Sequence, residues 1–386
     1  MKILILGSSA GAISCADTLR KNDSDIQITV AGKEEILPYY RPQLSHMLGE
    51  GKIDSRFYLK PENYYKDNNI ELLQGKEAVR IDRDAKKVEF SSGESIDYDK
   101  LVIAVGSRNF VPPVEGSDLT GVYNLKFYED MEKINGYMAD KSTVIIIGGG
   151  ILGIEAAWTL KKTGKNVNVL EFGDRLMARQ LSEKASQIVQ DELSGEGINV
   201  FTQKSTKCII GNEKVEKIIL ESGEEIPTDM LMFSVGVRPE TGLATGAGIE
   251  TDRGIVVNEN MRTSDEDIYA VGDCAQVNGI CLGIWPLAMQ TGKIVALDIL
   301  GKEARFSMNP PAVILKALNT GVYSAGDIYD RDDHIEEQDG SNYRFFTFKD
   351  NILTGANLIG DTKLSSKIFS MLTNKTTREQ FLEIIK

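Results

Sequence analysis

Thr143-Val144-Ile145-Ile146-Ile147-Gly148-Gly149-Gly150-Ile151-Leu152-Gly153-Ile154-Glu155 decides the fold. A short apolar run meets a glycine turn, and a helical pattern then runs to Leu160. Glycines at 148, 150 and 153 match G-x-G-x-x-G. The first permits a tight turn, the second lets backbone approach a pyrophosphate, and the third lets helix pack on strand. A helix opening there turns free N–H groups and its dipole towards an anion. Gly148, Gly150, Ile151, Leu152 and Gly153 are therefore the expected cradle. The following strand, Asn166 to Glu171, ends in an acid close to ~20 residues beyond the first glycine. An acid at that place accepts from an adenosine ribose and repels a 2′-phosphate, so this half should take NADH over NADPH.

The chain opens on a weaker copy of the same pattern. Lys2 to Leu6 is strand-like and leads into Gly7-Ser8-Ser9-Ala10-Gly11-Ala12, then a helical run to Leu19. Ser9 replaces the middle glycine and Ala12 the last; both are small enough for a close turn. After the next strand, Ile26 to Val30, the acid is ambiguous, because Gly32 is followed by Lys33 and then Glu34. Two such openings predict an α/β protein with two Rossmann-like dinucleotide-binding units.

The segments between them set the expected order. Asp82 to Phe90 reads as a hairpin arm and Lys100 to Val105 as a buried strand. Lys214 to Glu221 and Met230 to Val235 repeat that pair. Ile268 to Val271 is a further buried strand, and Ala288 to Leu300 a helix closed by Gly301. After Lys302 come strand-like runs at Val313 to Leu315, Val322 to Ala325 and Tyr343 to Phe348, then a terminal helix. The expected domains are 1–106 with 237–303, a unit at 107–236 inserted between them, and a small α/β unit at 304–386.

Composition narrows the classes. Lys and Arg total 44 against 57 Asp and Glu, a net charge of −13. Such a surface argues against nucleic acid as the main partner, yet allows a local basic patch for an acidic protein. The four cysteines, Cys15, Cys208, Cys274 and Cys281, form no CxxC pair, so neither a metal knuckle nor a redox disulfide is expected. No stretch approaches the ~20 apolar residues of a membrane helix. The expectation is a cytoplasmic protein that does not enter a membrane.

Further motifs carry a resemblance. They are Leu37-Pro38-Tyr39-Tyr40-Arg41-Pro42-Gln43-Leu44-Ser45, Ala104-Val105-Gly106-Ser107-Arg108, Ser234-Val235-Gly236-Val237-Arg238-Pro239 and Ile268-Tyr269-Ala270-Val271-Gly272-Asp273-Cys274. Over residues 1 to 303 the chain resembles the two-dinucleotide-domain flavoprotein reductases. That family includes glutathione reductase, NADH oxidase, ferredoxin reductase and rubredoxin reductase. The resemblance implies FAD and NADH as cofactors. It gives Asp273 the flavin ribitol and sets Arg41, Val79 and Lys126 at FAD-contact positions. It also implies that Trp285 to Gln290 lies under the isoalloxazine ring and that Gly236 is a nucleotide contact. Gly7, Ser9, Ala10, Gly11, Ala12 and Lys33 or Glu34 complete the expected FAD set.

Disulfide reductases of the family carry paired cysteines on the first unit, and the oxidases carry one after a Leu-Ser pair. Here Leu44-Ser45 is followed by His46. Ferredoxin-reductase relatives place a lysine there, paired with a glutamate matching Glu155. His46 and Glu155 are the expected catalytic pair. Without a thiol, electrons should leave singly, to rubredoxin or a similar small electron-carrier protein. The short tail after Glu303 favours a monomer. An NADH oxidase, the flavin component of a ferredoxin or nitrite reductase system, and a flavin-binding regulatory protein remain alternatives.

Overall fold

The computed structural model describes residues 1–49, 53–281 and 283–385. Residues 50–52 and 282 of the expected first domain, and Lys386 of the last, lie outside the described residues.

The first sheet is wholly parallel. Its order is Ile268–Ala270, Lys100–Ile103, Lys2–Leu6, Gln27–Ala31, Ile70–Leu73. Ile3, Leu4, Ile5 and Leu6 are all buried, as a strand covered on both faces requires. The chain leaves this sheet after Ile103 and rejoins it at Ile268. Helices Ala10–Asn22 and Trp285–Ile299 pack on one another. A Cβ on Gly292 would fall 2.1 Å from the Gly11 carbonyl oxygen, so their contact depends on both glycines.

The second sheet repeats the design with the order Asn199–Phe201, Asn166–Leu170, Thr143–Ile147, Met230–Phe233, Val122–Asn124. Each unit also carries a three-stranded antiparallel arm: Ala78–Asp82, Lys87–Phe90, Ser95–Asp97 in one, and Thr206–Ile210, Lys217–Leu220, Glu225–Pro227 in the other. The two crossings between units pair with each other, Ser107–Asn109 antiparallel to Val237–Pro239.

The tail is a five-stranded antiparallel sheet in the order Ala312–Leu315, Gly321–Gly326, Ile352–Gly360, Asn342–Lys349, Asp333–Asp339. Helices Ser365–Thr373 and Arg378–Ile385 cover it. Three of the five strands are those expected. Asp333–Asp339 escaped notice because it is an exposed edge strand made largely of charged residues, which suits a guarded edge rather than a core pattern. Ile352–Gly360 was hidden by its two glycines. The helix expected from Ala288 begins three residues earlier, at Trp285, with a proline in its first turn.

Candidate functional site

Both glycine turns have the geometry a pyrophosphate needs. Gly7 and Gly148 stand at φ +106° and +117°, and a Cβ on either would fall 2.2–2.3 Å from a carbonyl oxygen of the neighbouring strand end. Gly153 is equally tight against the Gly148 carbonyl, whereas Gly150 faces open space. The N-cap residues Ser9 and Gly150 make no side-chain cap. The first-turn N–H groups at Ala10, Gly11 and Ala12, and at Ile151 and Leu152, are left for a ligand. Leu152 is half exposed at the rim.

Glu171 follows its strand directly and is already engaged. Oε2 accepts from the Gly149 amide and Oε1 from the Gly173 amide, each at 2.6 Å. Each oxygen keeps a second lone pair for a hydroxyl. Phe172 beside it is 79% exposed.

Around the first glycine turn's unit a chain of polar contacts gathers residues far apart in sequence, two of them, Ser107 and Lys126, from the inserted stretch 107–236. Glu34 accepts from Arg41 Nη2 and from the Tyr39 hydroxyl, both at 2.7 Å. Arg41 Nη1 donates to the Lys126 carbonyl at 2.7 Å. The Lys126 ammonium reaches the Ser107 hydroxyl and lies 3.6 Å from Asp273 Oδ2. Ser107 donates to that same oxygen at 2.8 Å. Burial lowers Lys126 below the ordinary lysine value, and the nearby Asp273 opposes the fall. Burial also pushes the Tyr39 hydroxyl far up, so it stays a donor to Glu34. Lys33 is exposed, its ammonium 4.3 Å over the Phe127 ring.

Asp273 sits on a single turn, Gly272–Cys274, rather than in the strand. Ser107 and Lys126 hold Oδ2 and leave Oδ1 for a ligand hydroxyl. Ser107, Tyr39 and Phe127 were missed as site residues, although the first two lie inside motifs the sequence displays. Val79 is half exposed beside a bulge in the arm. Trp285 meets Tyr40 edge-on at 5.0 Å. Gln290 turns its amide to the Ser307 carbonyl at 3.1 Å. Gly236, at φ +93°, opens the return crossing, and its Cβ side is open.

Arg41–Met47 is a 3-10 segment packed on helix Ile151–Lys162, so it brings the first unit against the second. Ser45 Oγ donates to Glu155 Oε2 at 3.0 Å, and His46 Nε2 lies 3.7 Å from Oε1. Glu155 is buried and His46 is one-third exposed. The cysteines lie elsewhere. Cys15 and Cys274 are buried, and burial raises both thiols. Among the described residues no cluster of His, Cys, Asp and Glu could hold a metal ion, and no helix is long and apolar enough to cross a membrane.

Two uncapped glycine turns, each at the start of a helix over a parallel sheet, define a protein with two dinucleotide sites. The family model described as pyridine nucleotide-disulphide oxidoreductase matches residues 1–292, and the chain belongs to that family. A second model, the rubredoxin NAD+ reductase C-terminal domain, matches residues 311–376. The assimilatory nitrate reductase electron transfer subunit of Bacillus subtilis is 31% identical over 96% of this chain and 49% of its own length. The NADH-rubredoxin oxidoreductase of Clostridium acetobutylicum is 32% identical over 95% of this chain and 93% of its own. The crystal structure of NADH:rubredoxin oxidoreductase from that organism superposes with a TM-score of 0.83 at 30% identity, covering 99% of each chain. The chain spans about half the length of the first curated relatives it matches. The family uses FAD and NADH. The residues present fit both: two uncapped helix starts, two glycine turns a Cβ would fill, and free carboxylate lone pairs at Asp273 and Glu171.

Proposed function

We propose that this chain is an NADH-dependent flavoprotein reductase that passes electrons singly to a small iron protein, with rubredoxin the favoured acceptor. One observation carries the reading: the residue set against Glu155 is His46, and the two buried cysteines lie elsewhere in the first unit. With no thiol there to form a disulfide with substrate, a one-electron acceptor is the natural outlet. The match of the tail to a rubredoxin NAD+ reductase C-terminal domain supports the same acceptor. The division is 1–106 with 237–303 for FAD, 107–236 for NADH, and 304–386 for the tail. The protein acts as a monomer in the cytoplasm.

Bound FAD would supply hydride acceptance from NADH and single-electron release. The chain supplies position and electrostatics. Asp273 and Lys126 would hold the hydroxyl-rich linker of the cofactor, and Arg41 with Glu34 would hold its adenosine half. Glu171 accepts the adenosine ribose of NADH. Ser45 fixes the Glu155 carboxylate, which in turn orients the His46 imidazole at the junction of the two units.

A second reading is favoured by the half-length match to nitrate and nitrite reductase chains: the flavin-containing component of a larger reductase. Steady-state NADH oxidation with rubredoxin, ferredoxin and oxygen side by side separates them. Rubredoxin should be reduced fastest; oxygen as the best acceptor would overturn the proposal.

A further inference from the structure

The segment Gly173 to Ser182, which follows Glu171, is held from two sides. On one side it grips the second glycine turn. The Met177 amide donates to the Gly149 carbonyl at 2.9 Å, and the Gly149 amide donates to Glu171. A Cβ on Gly149 would fall 2.4 Å from the Leu176 side chain. Met177 takes the left-handed conformation, φ +47°, which a non-glycine residue adopts only when its surroundings enforce it.

On the other side the loop is held by the C-terminal unit, through the sheet residues Asn357 and Ser324 and through Tyr329 in the loop after Gly321–Gly326. The Asn357 amide donates to the Gln180 carbonyl, and its oxygen accepts from the Ser182 amide, both at 2.8 Å. Ser324 Oγ donates to that same Gln180 carbonyl at 2.6 Å. The Tyr329 hydroxyl lies 2.6 and 2.7 Å from the Ala178 and Leu181 carbonyls and accepts from Arg175 Nη2 at 2.8 Å. Asn357 is fully buried and Ser324 nearly so. Leu176, Met177 and Leu181 share one apolar cluster with Val322, Ile328 and Tyr343 of the tail. Backbone groups buried in an irregular loop need such partners, and here the tail provides them. The first unit manages differently, since Glu34 is tied down by Arg41 and Tyr39 of its own unit.

We propose that the C-terminal sheet is a working part of the pyridine-nucleotide site. Asn357 and Tyr329 are positioning residues that hold the Gly173–Ser182 loop, and through Met177 they hold Gly149 in its ligand-ready turn. This rests on the reading that the Gly148 turn and Glu171 receive NADH.

The test uses the full FAD-loaded chain and NAD+ titrated by calorimetry, with KM for NADH and kcat measured beside it. Tyr329→Phe keeps the ring at a partly exposed site and removes only the hydroxyl. It should raise the NAD+ Kd about three- to tenfold, and Asn357→Ala about tenfold or more. Asn357→Asp keeps the acceptor for Ser182 but turns a buried carboxylate oxygen on the Gln180 carbonyl, so it should bind NAD+ no better than Asn357→Ala. KM for NADH should rise in step, with kcat within about twofold and FAD content unchanged. Glu171→Arg serves as the control. If it weakens NAD+ while Tyr329→Phe and Asn357→Ala bind as wild type, the role of the tail is overturned. If Glu171→Arg itself leaves NAD+ binding unchanged, the nucleotide-site reading falls. Parallel losses of FAD and kcat would mark a merely structural role for the two residues and would also overturn the proposal.

Discussion

The Ser45 hydroxyl donates to Glu155 Oε2 at 3.0 Å, joining the first unit to the second inside the buried contact between them. A buried carboxylate deprived of a donor costs about 1–3 kcal/mol. Ser45→Ala should therefore destabilise the protein by that order, and Ser45→Ala with Glu155→Gln by less than the sum of the two. Urea unfolding of the four members of the cycle measures the coupling. Additive effects would mean that the hydrogen bond contributes nothing.

Glu171 should decide between the two pyridine nucleotides. Glu171→Arg replaces a carboxylate that repels a 2′-phosphate by a guanidinium that binds one. It also removes the acceptor for the Gly149 and Gly173 amides, so the turn itself should loosen. NADH use should fall at least about tenfold, and the NADPH to NADH ratio of kcat/KM should rise about as much. A wild type that already uses both nucleotides equally would refute this role for Glu171.

Asp273→Ala removes the partner of Ser107 and the nearest anion to the buried Lys126 ammonium. FAD should be lost on purification, with its Kd raised at least about tenfold. The flavin-to-protein absorbance ratio reports this directly. Asp273→Asn, which retains an acceptor oxygen, should hold FAD better than Asp273→Ala. A fully yellow Asp273→Ala protein would exclude the assignment.

Acid sensitivity should be written partly at the joint where the chain rejoins its first sheet. Asp267 precedes the strand Ile268–Ala270 and bridges Lys100 and Lys86. Hydrogen bonds from Lys100 and then Lys86 lower its carboxyl below the ordinary aspartate value. A lowered folded value stabilises above the unfolded value of about 3.9, and the gain is lost as pH falls through the folded value. Wild type should exceed Asp267→Asn by up to about 1 kcal/mol between pH 5 and 8. The gap should close below about pH 4. Denaturant melts across pH give the comparison; a gap independent of pH would remove Asp267 from the account.

What was legible in the sequence follows the strength of local chemistry. The parallel sheets were readable because short apolar runs rich in β-branched residues, such as Ile3–Leu6 and Val144–Ile147, each closed by a glycine turn, suit strands covered on both faces. In the tail, the edge strand Asp333–Asp339 was not, because it has almost no apolar face to betray it, and the central strand Ile352–Gly360 was not, because glycines interrupt it. In the candidate site, the glycines of the two turns and Glu171 announced themselves by spacing, while Asp273, Glu155 and His46 came only through the family resemblance. Ser107, Tyr39 and Phe127 did neither, since their roles come from neighbours distant in sequence. The Asn357 and Tyr329 contacts with Gln180 and Leu181 were invisible for the same reason: nothing local to an asparagine on a strand or a tyrosine in a turn says which loop it will meet.

The last prediction concerns His46. Its Nε2 lies 3.7 Å from Glu155 Oε1, while Ser45 occupies the other oxygen, so the carboxylate orientation is set before the imidazole engages it. His46 is one-third exposed and contributes little to the core, so its loss should not unfold the protein. His46→Ala should leave FAD bound, because the FAD contacts proposed above lie at Arg41, Lys126 and Asp273. It should slow reduction of the bound flavin by NADH by about tenfold or more, as loss of a positioned electrostatic group does. His46→Lys places an ammonium within reach of the same carboxylate and should recover most of that rate. Alanine and lysine therefore differ only in the group facing Glu155, which separates an electrostatic role from a packing one. Stopped-flow absorbance of the flavin band after mixing with NADH measures all three proteins. Equal rates in wild type and His46→Ala would reduce His46 to a structural residue, and an inactive His46→Lys beside a slow His46→Ala would show that charge alone does not replace the imidazole.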